Sequence, residues 1–289
     1  MAVIRSVDAV FPGRPTIEGA GVQLKRCFAF GQEMTFDPFL LFDDFSGDDP
    51  SQFMAGFPWH PHRGIETITY LLEGDVAHGD SMGNAGVIHP GEVQWMTAGS
   101  GVIHQEMPHA SPAGRLKGFQ LWANLPASQK MMSPRYRGIL SSEIPEVEMD
   151  GAKIRVISGQ VGEARGPVRD IVIDPEYLDV TLNPGAGWEH PVPSGHTAFA
   201  YLFQGSARFD AASRMSADPV GAVILFGDGE KVTIAAESDG ARFLLVSGKP
   251  LREPIAWGGP IVMNTQAELQ NAFAEYHAGT FIKPLQADQ

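Results

Sequence analysis

The sequence predicts an all-β fold of two similar barrel domains with one short helix at the C-terminus. The 289 residues include 33 glycines and 22 prolines spread along the chain, which is typical of short strands joined by tight turns. Apolar and β-branched runs recur at short spacing in both halves, as in barrels and sandwiches. A segment of the first half is also repeated in the second, which indicates two related domains.

The candidate strands form two sets with turn signals between their members. Those of the first half are Val22 to Phe30, Glu66 to Leu72, Gly86 to His89, Glu92 to Met96 and Gly118 to Asn124. Those of the second half are Ile154 to Ile157, Leu178 to Leu182, Thr197 to Phe203, Ala222 to Phe226 and Ala241 to Val246.

The internal repeat aligns IETITYLLEGDVAH, from Ile65, with HTAFAYLFQGSARF, from His196, without a gap. The stretch 132–148 contains prolines and charges but little periodicity, so we place the domain junction there. The predicted domains are residues 1–133 and residues 134–289, the second of which includes the terminal helix.

The C-terminal helix is predicted from a capping box, Thr265-Gln266-Ala267-Glu268. Leu269, Phe273 and Tyr276 then fall on one face, and Gly279 ends the helix. We interpret it as a helix packed on a barrel and assign it no chemistry.

Composition excludes several function classes. The formal charge of −13, without a Lys/Arg cluster, argues against direct binding to nucleic acid. No apolar run approaches the roughly 20 residues that cross a bilayer, and the first residues lack a secretory h-region, so we expect a cytoplasmic protein. Cys27 is the single cysteine, which excludes an intramolecular disulfide and a thiolate cluster. We expect it to be a core residue.

Two pairs of polar residues carry the chemistry. His60 and His62 are two residues apart, and so are His104 and Glu106. Side chains two apart on a strand point to the same side. Because Pro61 would remove a ladder hydrogen bond, the first pair is expected at the entrance of a strand. Strands facing each other across a barrel would bring three imidazoles and one carboxylate to a single point, as in a metal site.

The repeat predicts only one such site in the chain. In the alignment the four polar residues fall together on apolar ones, Pro191, Pro193, Val232 and Ile234. One barrel is therefore expected to bind metal and the other to be retained for its shape. The remaining histidines lack partners at ligand spacing. We interpret His190 and His196 as structural, and as loop or surface residues His78, His89, His109 and His277.

Longer motifs resemble the pirin family of the cupin superfamily over nearly the whole chain. They are DPFLLFDDF from Asp37, GFPWHPHRGIETITYLLEG from Gly56, DSMGNAG from Asp80, PGEVQWMTAGSGVIHQE from Pro90, GFQLWANLP from Gly118 and EPIAWGGPIVMNT from Glu253. The resemblance implies a bicupin, two cupin (jelly-roll) β-barrels in tandem, with one metal ion in the N-terminal barrel.

The family's ligands carry over onto His60, His62, His104 and Glu106, and the resemblance implies iron. General cupins instead use a glutamate soon after HxH, which makes Glu66 the alternative ligand. Ligand type alone does not separate iron from manganese, cobalt, nickel, copper or zinc. Three aromatic residues near the ligands in sequence are candidates for lining a pocket or a core, Phe57, Trp59 and Trp95.

Some pirins resemble quercetin 2,3-dioxygenases, which implies cleavage of a flavonol ring with dioxygen and release of carbon monoxide. In that hypothesis Glu106 accepts the proton of the flavonol hydroxyl. Other pirins are regulators without enzymatic activity, which sense redox state through the metal and bind a transcription factor or a metabolic enzyme. An open aromatic-lined mouth above the metal would favour the enzyme, and a plugged one the regulator. Two barrels in one chain favour a monomer.

Overall fold

Short strands account for most of the structure, a computed structural model that describes residues 2–210 and 219–284. In chain order they are β1 (Val7–Pro12), β2 (Arg14–Glu18), β3 (Val22–Phe28), β4 (Phe39–Asp44), β5 (Phe57–His62), β6 (Ile65–Glu73), β7 (Asp75–Asp80), β8 (Ala85–Ile88), β9 (Val93–Thr97), β10 (Val102–His109), β11 (Lys117–Asn124), β12 (Arg135–Ile139), β13 (Glu146–Met149), β14 (Ala152–Ser158), β15 (Gln160–Val161), β16 (Ala164–Arg165), β17 (Glu176–Leu182), β18 (Gly187–Pro191), β19 (Thr197–Arg208), β20 (Ala222–Phe226), β21 (Lys231–Gly248), β22 (Ala256–Gly258) and β23 (Ile261–Met263). The α-helices are α1 (Glu33–Phe36) and α2 (Gln266–His277), and the 3-10 helices are Pro50–Gln52, Ala127–Gln129 and Ser141–Glu143. The predicted all-β class is confirmed.

The chain divides into two compact units, each built from two segments. The first unit contains residues 14–141 and 251–289, and the second contains residues 1–13 and 142–250. The chain crosses between the units at 13/14, 141/142 and 250/251. Strand β1 pairs with β20 of the second unit, and α2 packs in the first unit. Pairing between segments so distant in sequence leaves no local pattern from which to predict it.

The first unit contains two large antiparallel sheets and the two-stranded sheet β22-β23. One large sheet has the order β12-β9-β6-β11-β4-β3-β2 and the other the order β5-β10-β7-β8. Side chains of β6 alternate between two faces. Thr69 lies on the same face as the interior residues of β10, whereas Glu66 lies on the opposite face with Trp95. This alternation decides which polar residues reach the barrel interior.

The large sheet of the second unit has the order β1-β20-β19-β21-β17-β14-β13, with β18 also paired to β21, and β15 and β16 form a separate two-stranded sheet. The 18-residue strand β21 pairs with three other strands of the large sheet. Its first part pairs with β18, and its last part pairs with β17 and β19. The interior is a continuous apolar core that includes Leu178, Ala200, Val232, Ile234 and Leu245.

Helix α2 forms as predicted. The Thr265 side chain accepts from the backbone N–H of Glu268, and the Glu268 carboxylate accepts from the backbone N–H of Thr265. Leu269 is buried, and Phe273 and Tyr276 pack with it in one apolar cluster. The helix ends two residues before Gly279, whose φ of 71° is the left-handed conformation that favours glycine.

A buried lysine ties three segments of the first unit together. The Nζ of Lys130, whose residue is 1% exposed, donates to Gly64 O at 2.9 Å, Asn124 Oδ1 at 2.7 Å and Val262 O at 3.0 Å. The three N–H groups of the ammonium therefore each have an acceptor. Burial lowers the pKa of Lys130 to about 7.

Cys27 is buried, as predicted for a core residue, and burial raises the pKa of its thiol. Helices α1 and α2 have four and 12 residues. No helix within residues 2–210 and 219–284 has the length and apolar character that are needed to span a membrane.

Candidate metal centre

Strands β5 and β10 bring the predicted ligand pairs together. They are antiparallel neighbours, with His104 opposite His60 and Val102 opposite His62. Because side chains alternate along a strand, His60, His62 and His104 point to the same face. His60 lies near the middle of β5 and His62 at its end, so Pro61 lies inside this edge strand of its sheet rather than before it.

The three imidazoles converge on one point. The Nε2 of His60 lies 3.0 Å from the Nε2 of His62 and 2.9 Å from the Nε2 of His104. The three donor atoms all lie within 4.8 Å of one another. Imidazole nitrogens bind divalent ions at about 2.0–2.1 Å, so two of them at a right angle lie about 3.0 Å apart. The spacing fits three ligands of one ion.

The hydrogen bonds of the outer ring nitrogens support the same assignment. His60 Nδ1 donates to Pro58 O at 2.8 Å, and His62 Nδ1 donates to Pro260 O at 3.1 Å, because a carbonyl oxygen can only accept. Each neutral ring therefore presents a lone pair at Nε2. Two lone pairs 3.0 Å apart repel unless a cation lies between them, and fixed outer hydrogen bonds are typical of metal-binding histidines.

The protonation state of the rings suits a metal as well. Burial lowers the pKa of His60, and it lowers those of His62 and His104 well below the usual histidine value. Neighbouring imidazoles add to this effect at His62 and His104. All three rings are therefore neutral at physiological pH, which is the form that binds metal.

Glu106 lies in the same interior but is oriented differently. Its carboxylate Oε1 accepts from Thr69 Oγ1 at 3.0 Å, and the same hydroxyl lies 3.0 Å from Gln120 Oε1. Burial raises the pKa of Glu106 to about 7. Within the described chain, the cluster of metal-binding atoms contains the three histidines and does not include this carboxylate. Its role as a ligand remains a prediction.

The alternative ligand, Glu66, is placed on the far side of strand β6. Its Oε1 accepts from Thr97 Oγ1 at 2.7 Å, and its Oε2 accepts from Trp95 Nε1 at 2.9 Å. Burial raises the pKa of this carboxyl as well. Both oxygens are engaged on the face opposite Thr69, so Glu66 is not directed at the histidines.

The prediction of a loop or surface position is wrong for His78. It lies in strand β7, is 4% exposed, and its Nε2 lies 3.2 Å from Asp80 Oδ2. Its ring lies 5.5 Å from that of His104 and stacks on Tyr136 at 4.9 Å. The alternation in Val76-Ala77-His78-Gly79-Asp80 could have indicated an inward face. The exposed positions predicted for the other three such histidines are confirmed: His89, His109 and His277.

A cavity of about 720 Å³ opens beside the histidines. His60, His62 and Glu106 line it, together with aromatic residues and Gln120. Of the aromatic residues singled out in the sequence, Phe57 lines the cavity, Trp59 is 52% exposed and Trp95 is buried on the other sheet face. Aromatic residues of distant segments complete the wall: Phe30, Phe45, Trp122 and Trp257.

An ionic group forms the polar part of the cavity wall. Arg26 donates through Nε and Nη2 to the two carboxylate oxygens of Asp43, at 2.9 and 2.7 Å, and through Nη1 to Glu18 at 2.6 Å. Burial raises the pKa of Asp43 to about 6, although the hydrogen bonds from Arg26 oppose this shift. Charged donors and acceptors therefore face the cavity beside the aromatic rings.

Comparison with known proteins identifies the family. The Pirin family model matches residues 21–123, and a model described as the Pirin C-terminal cupin domain matches residues 177–282. A pirin-like protein of Caulobacter vibrioides is 42% identical over 281 residues, which are 96% of this chain and 99% of that protein. The chain belongs to the pirin family.

Other relatives agree with this assignment. Human pirin is 40% identical over 270 residues, covering 91% of this chain and 89% of that protein. Among solved structures, a quercetin 2,3-dioxygenase from Acinetobacter baumannii has a TM-score of 0.88 and 31% identity, covering 98% of this chain and all of that one. The predicted bicupin fold is confirmed, with a pirin barrel followed by a second cupin barrel.

Proposed function

We propose that this pirin is a metal-dependent dioxygenase that cleaves the central ring of a flavonol such as quercetin with dioxygen and releases carbon monoxide. The observation that carries the proposal is the location of the three neutral imidazoles. His60 and His62 line an open cavity of about 720 Å³ whose wall includes five Phe and Trp side chains, and the His104 ring lies beside them. Cavities of roughly 300–1,000 Å³ are typical of small-molecule sites.

The composition of the wall supports a polyphenolic substrate. Trp122 lies edge-on to His62, with ring centroids 5.0 Å apart, and Trp257 lies 6.2 Å from Trp122. Such rings pack well on the flat faces of an aromatic molecule. Arg26 and Asp43 supply a donor and an acceptor for phenolic hydroxyls. A structural neighbour that bears the name quercetin 2,3-dioxygenase adds to this support.

The roles of the residues follow from their positions. His60, His62 and His104 would hold one divalent ion. When bound, that ion supplies Lewis acidity and open positions for a chelating hydroxyl and carbonyl. Glu106 accepts the proton of the flavonol hydroxyl, and Thr69 holds the carboxylate in place through its hydrogen bond. In this proposal the metal is iron, as the resemblance to pirins implied.

The test is dioxygen uptake together with carbon monoxide release from quercetin, using iron-loaded protein. The control is the double variant His60→Ala, His62→Ala, loaded in the same way, with its metal content measured in parallel. We expect turnover by the wild type and none by the variant. Tight binding of one metal per chain without any turnover would refute the dioxygenase and favour the regulator, whose partner would then be sought. Loading with manganese, cobalt, nickel, copper or zinc tests the choice of iron.

A further inference from the structure

A row of polar side chains crosses the large sheet of the first unit along the wall of the cavity. Its members lie on the neighbouring strands β6, β11, β4 and β3, each directly opposite the next: Thr69, Gln120, Asp43 and Arg26. Directly opposed residues share one face of a sheet, and the last three of these line the cavity. Neighbouring strands are about 4.8 Å apart, so the row extends about 14 Å from Thr69, which bonds to Glu106.

The second unit provides an internal comparison, because the sequence repeat places Ala200 at the position of Thr69. The corresponding row crosses β19, β21, β17 and β14, and its members are all apolar: Ala200, Leu245, Leu178 and Val156. All four belong to the buried core of that unit. A barrel of this architecture therefore forms without the polar row.

Packing alone does not account for the ion pair in the row of the first unit. Arg26 donates to both carboxylate oxygens of Asp43, a residue that is 4% exposed. Well-packed apolar residues are often as stabilising as a buried ion pair, because the charges lose their hydration. The second unit has Val156 and Leu178 at these two positions. We therefore expect the polar row to serve binding rather than stability.

The ion group retains donors and an acceptor for a ligand. Arg26 has five N–H groups, of which Asp43 and Glu18 accept three. Two N–H groups remain, and the Arg26 side chain is 24% exposed. The bond from Arg26 uses Oε1 of Glu18, whose side chain is 41% exposed, so Oε2 can accept a further hydrogen bond. A donor and an acceptor thus lie side by side at the cavity wall.

Two hydroxyl groups on adjacent ring carbons match this arrangement. A hydroxyl group both donates and accepts, so one of the pair can donate to Glu18 while the other accepts from Arg26. Two carboxylates, Glu18 and Asp43, surround the single guanidinium, and the local charge is therefore negative. A neutral hydroxyl pair fits such a group, whereas an anionic substituent would be repelled.

We infer that the cavity selects flavonols that carry two adjacent hydroxyls, a catechol group, on the ring remote from the metal. This inference rests on the proposed function, in which the other end of the flavonol faces the imidazoles. Thr69 lies at the metal end of the row and Arg26 at its far end. Arg26 and Glu18 bind the catechol, and Asp43 holds the guanidinium in position. Arg26 and Glu18 are therefore specificity-determining residues.

The test is calorimetric titration of the full, iron-loaded chain in the absence of dioxygen, so that binding is measured without turnover. The ligands are quercetin, whose remote ring has two adjacent hydroxyls, morin, whose two hydroxyls on that ring are not adjacent, and galangin, which has none there. We expect quercetin to bind at least about tenfold more tightly than either, because only quercetin can make both charge-assisted hydrogen bonds.

Variants assign the selectivity to the two residues. Glu18→Ala should weaken quercetin binding about tenfold and leave galangin binding unchanged, a difference that general disruption of the fold would not produce. The double variant Arg26→Val, Asp43→Leu has the residues of the second unit at these positions, and it should bind quercetin no more tightly than galangin. The matched control is Lys25→Ala, because Lys25 is exposed on the opposite face of β3. It should retain the wild-type affinities.

The outcomes separate this inference from the proposed function. Equal affinities for the three flavonols would overturn the inference and leave the dioxygenase proposal in place, and so would an unchanged preference for quercetin in Glu18→Ala. Absence of binding by all three flavonols would overturn both, and quercetin turnover checks the dioxygenase separately. If the double variant does not fold, the result with Glu18→Ala decides.

Discussion

Arg63 links β5 and β10, the strands that carry the candidate ligands, to the C-terminal segment of the first unit, and the variant Arg63→Met tests how much this link contributes to stability. The residue follows His62 and is 1% exposed. Its Nε donates to Ser100 O at 2.7 Å, its Nη1 to Glu275 Oε2 at 2.8 Å and its Nη2 to Phe281 O at 2.8 Å. The guanidinium also lies 4.2 Å from the centre of the Phe281 ring.

The cost of Arg63→Met can be worked out from these contacts. Methionine keeps most of the apolar stem but leaves the carbonyls of Ser100 and Phe281 without donors, and each loss costs about 1–3 kcal/mol. The cation–π contact contributes about 0.5–2 kcal/mol. Glu275 adds little, because its side chain is 21% exposed and retains Lys283 at 2.8 Å. We therefore expect the free energy of unfolding to fall by about 2.5–8 kcal/mol.

Urea unfolding of the metal-free protein, followed by tryptophan fluorescence, measures this change. Four of the five tryptophans lie in the first unit, so the signal reports mainly on that unit. The matched control is Arg115→Met, because Arg115 pairs with Glu73 at 3.0 Å but is 52% exposed. We expect the control to lose less than about 1 kcal/mol. Equal losses in the two variants would refute the assignment of Arg63 as a buried link.

Three further predictions concern the site and the pH dependence of folding. Glu106→Gln should retain its metal, measured by elemental analysis, but lower quercetin turnover at least about 100-fold. The control Glu66→Gln should retain both metal and turnover. Joint loss of metal and turnover in Glu106→Gln would show that Glu106 is only a ligand. Trp122→Ala should raise the KM for quercetin about tenfold, because the ring packing is lost. Trp59 lies outside the cavity, so Trp59→Ala should leave the KM unchanged. Equal KM values for the two variants would show that Trp122 is not part of the substrate site. Lys130 keeps its proton up to pH 10.5 when unfolded but loses it near 7 when folded. The unfolded chain then binds more protons between these values, so stability should rise with pH there, by up to about 1.4 kcal/mol per pH unit. Urea midpoints across that range should show this rise in the wild type and not in Lys130→Met; the same slope in both would contradict it.

Much of the metal centre could be predicted from local spacing. The pairs His60/His62 and His104/Glu106 lie on strands with a period of two, so each pair faces one side whatever the rest of the fold does. The convergence of the three histidines is confirmed. Local spacing does not fix a side-chain rotamer, and the carboxylate of Glu106 is oriented by Thr69, a residue of another strand.

The position of Glu66 illustrates why spacing fails across a turn. It follows His62 by four residues, which would place both on one face of an uninterrupted strand. Gly64, with a φ of 77°, lies between them, at the break between β5 and β6. The turn resets the alternation, and β6 pairs in a different sheet from β5. Glu66 therefore belongs to the face of Trp95 rather than to that of the histidines.

The sequence by itself determined the all-β class, the internal repeat, the capped C-terminal helix and the two pairs of candidate ligands, because each depends on the pattern of residues within short stretches of the chain. Tertiary structure alone decided the rest. It placed β1 in the second unit and α2 in the first, and it brought Trp122 and Trp257 to one cavity wall. These contacts join segments far apart in sequence, and they depend on strand register and packing, which no local pattern encodes.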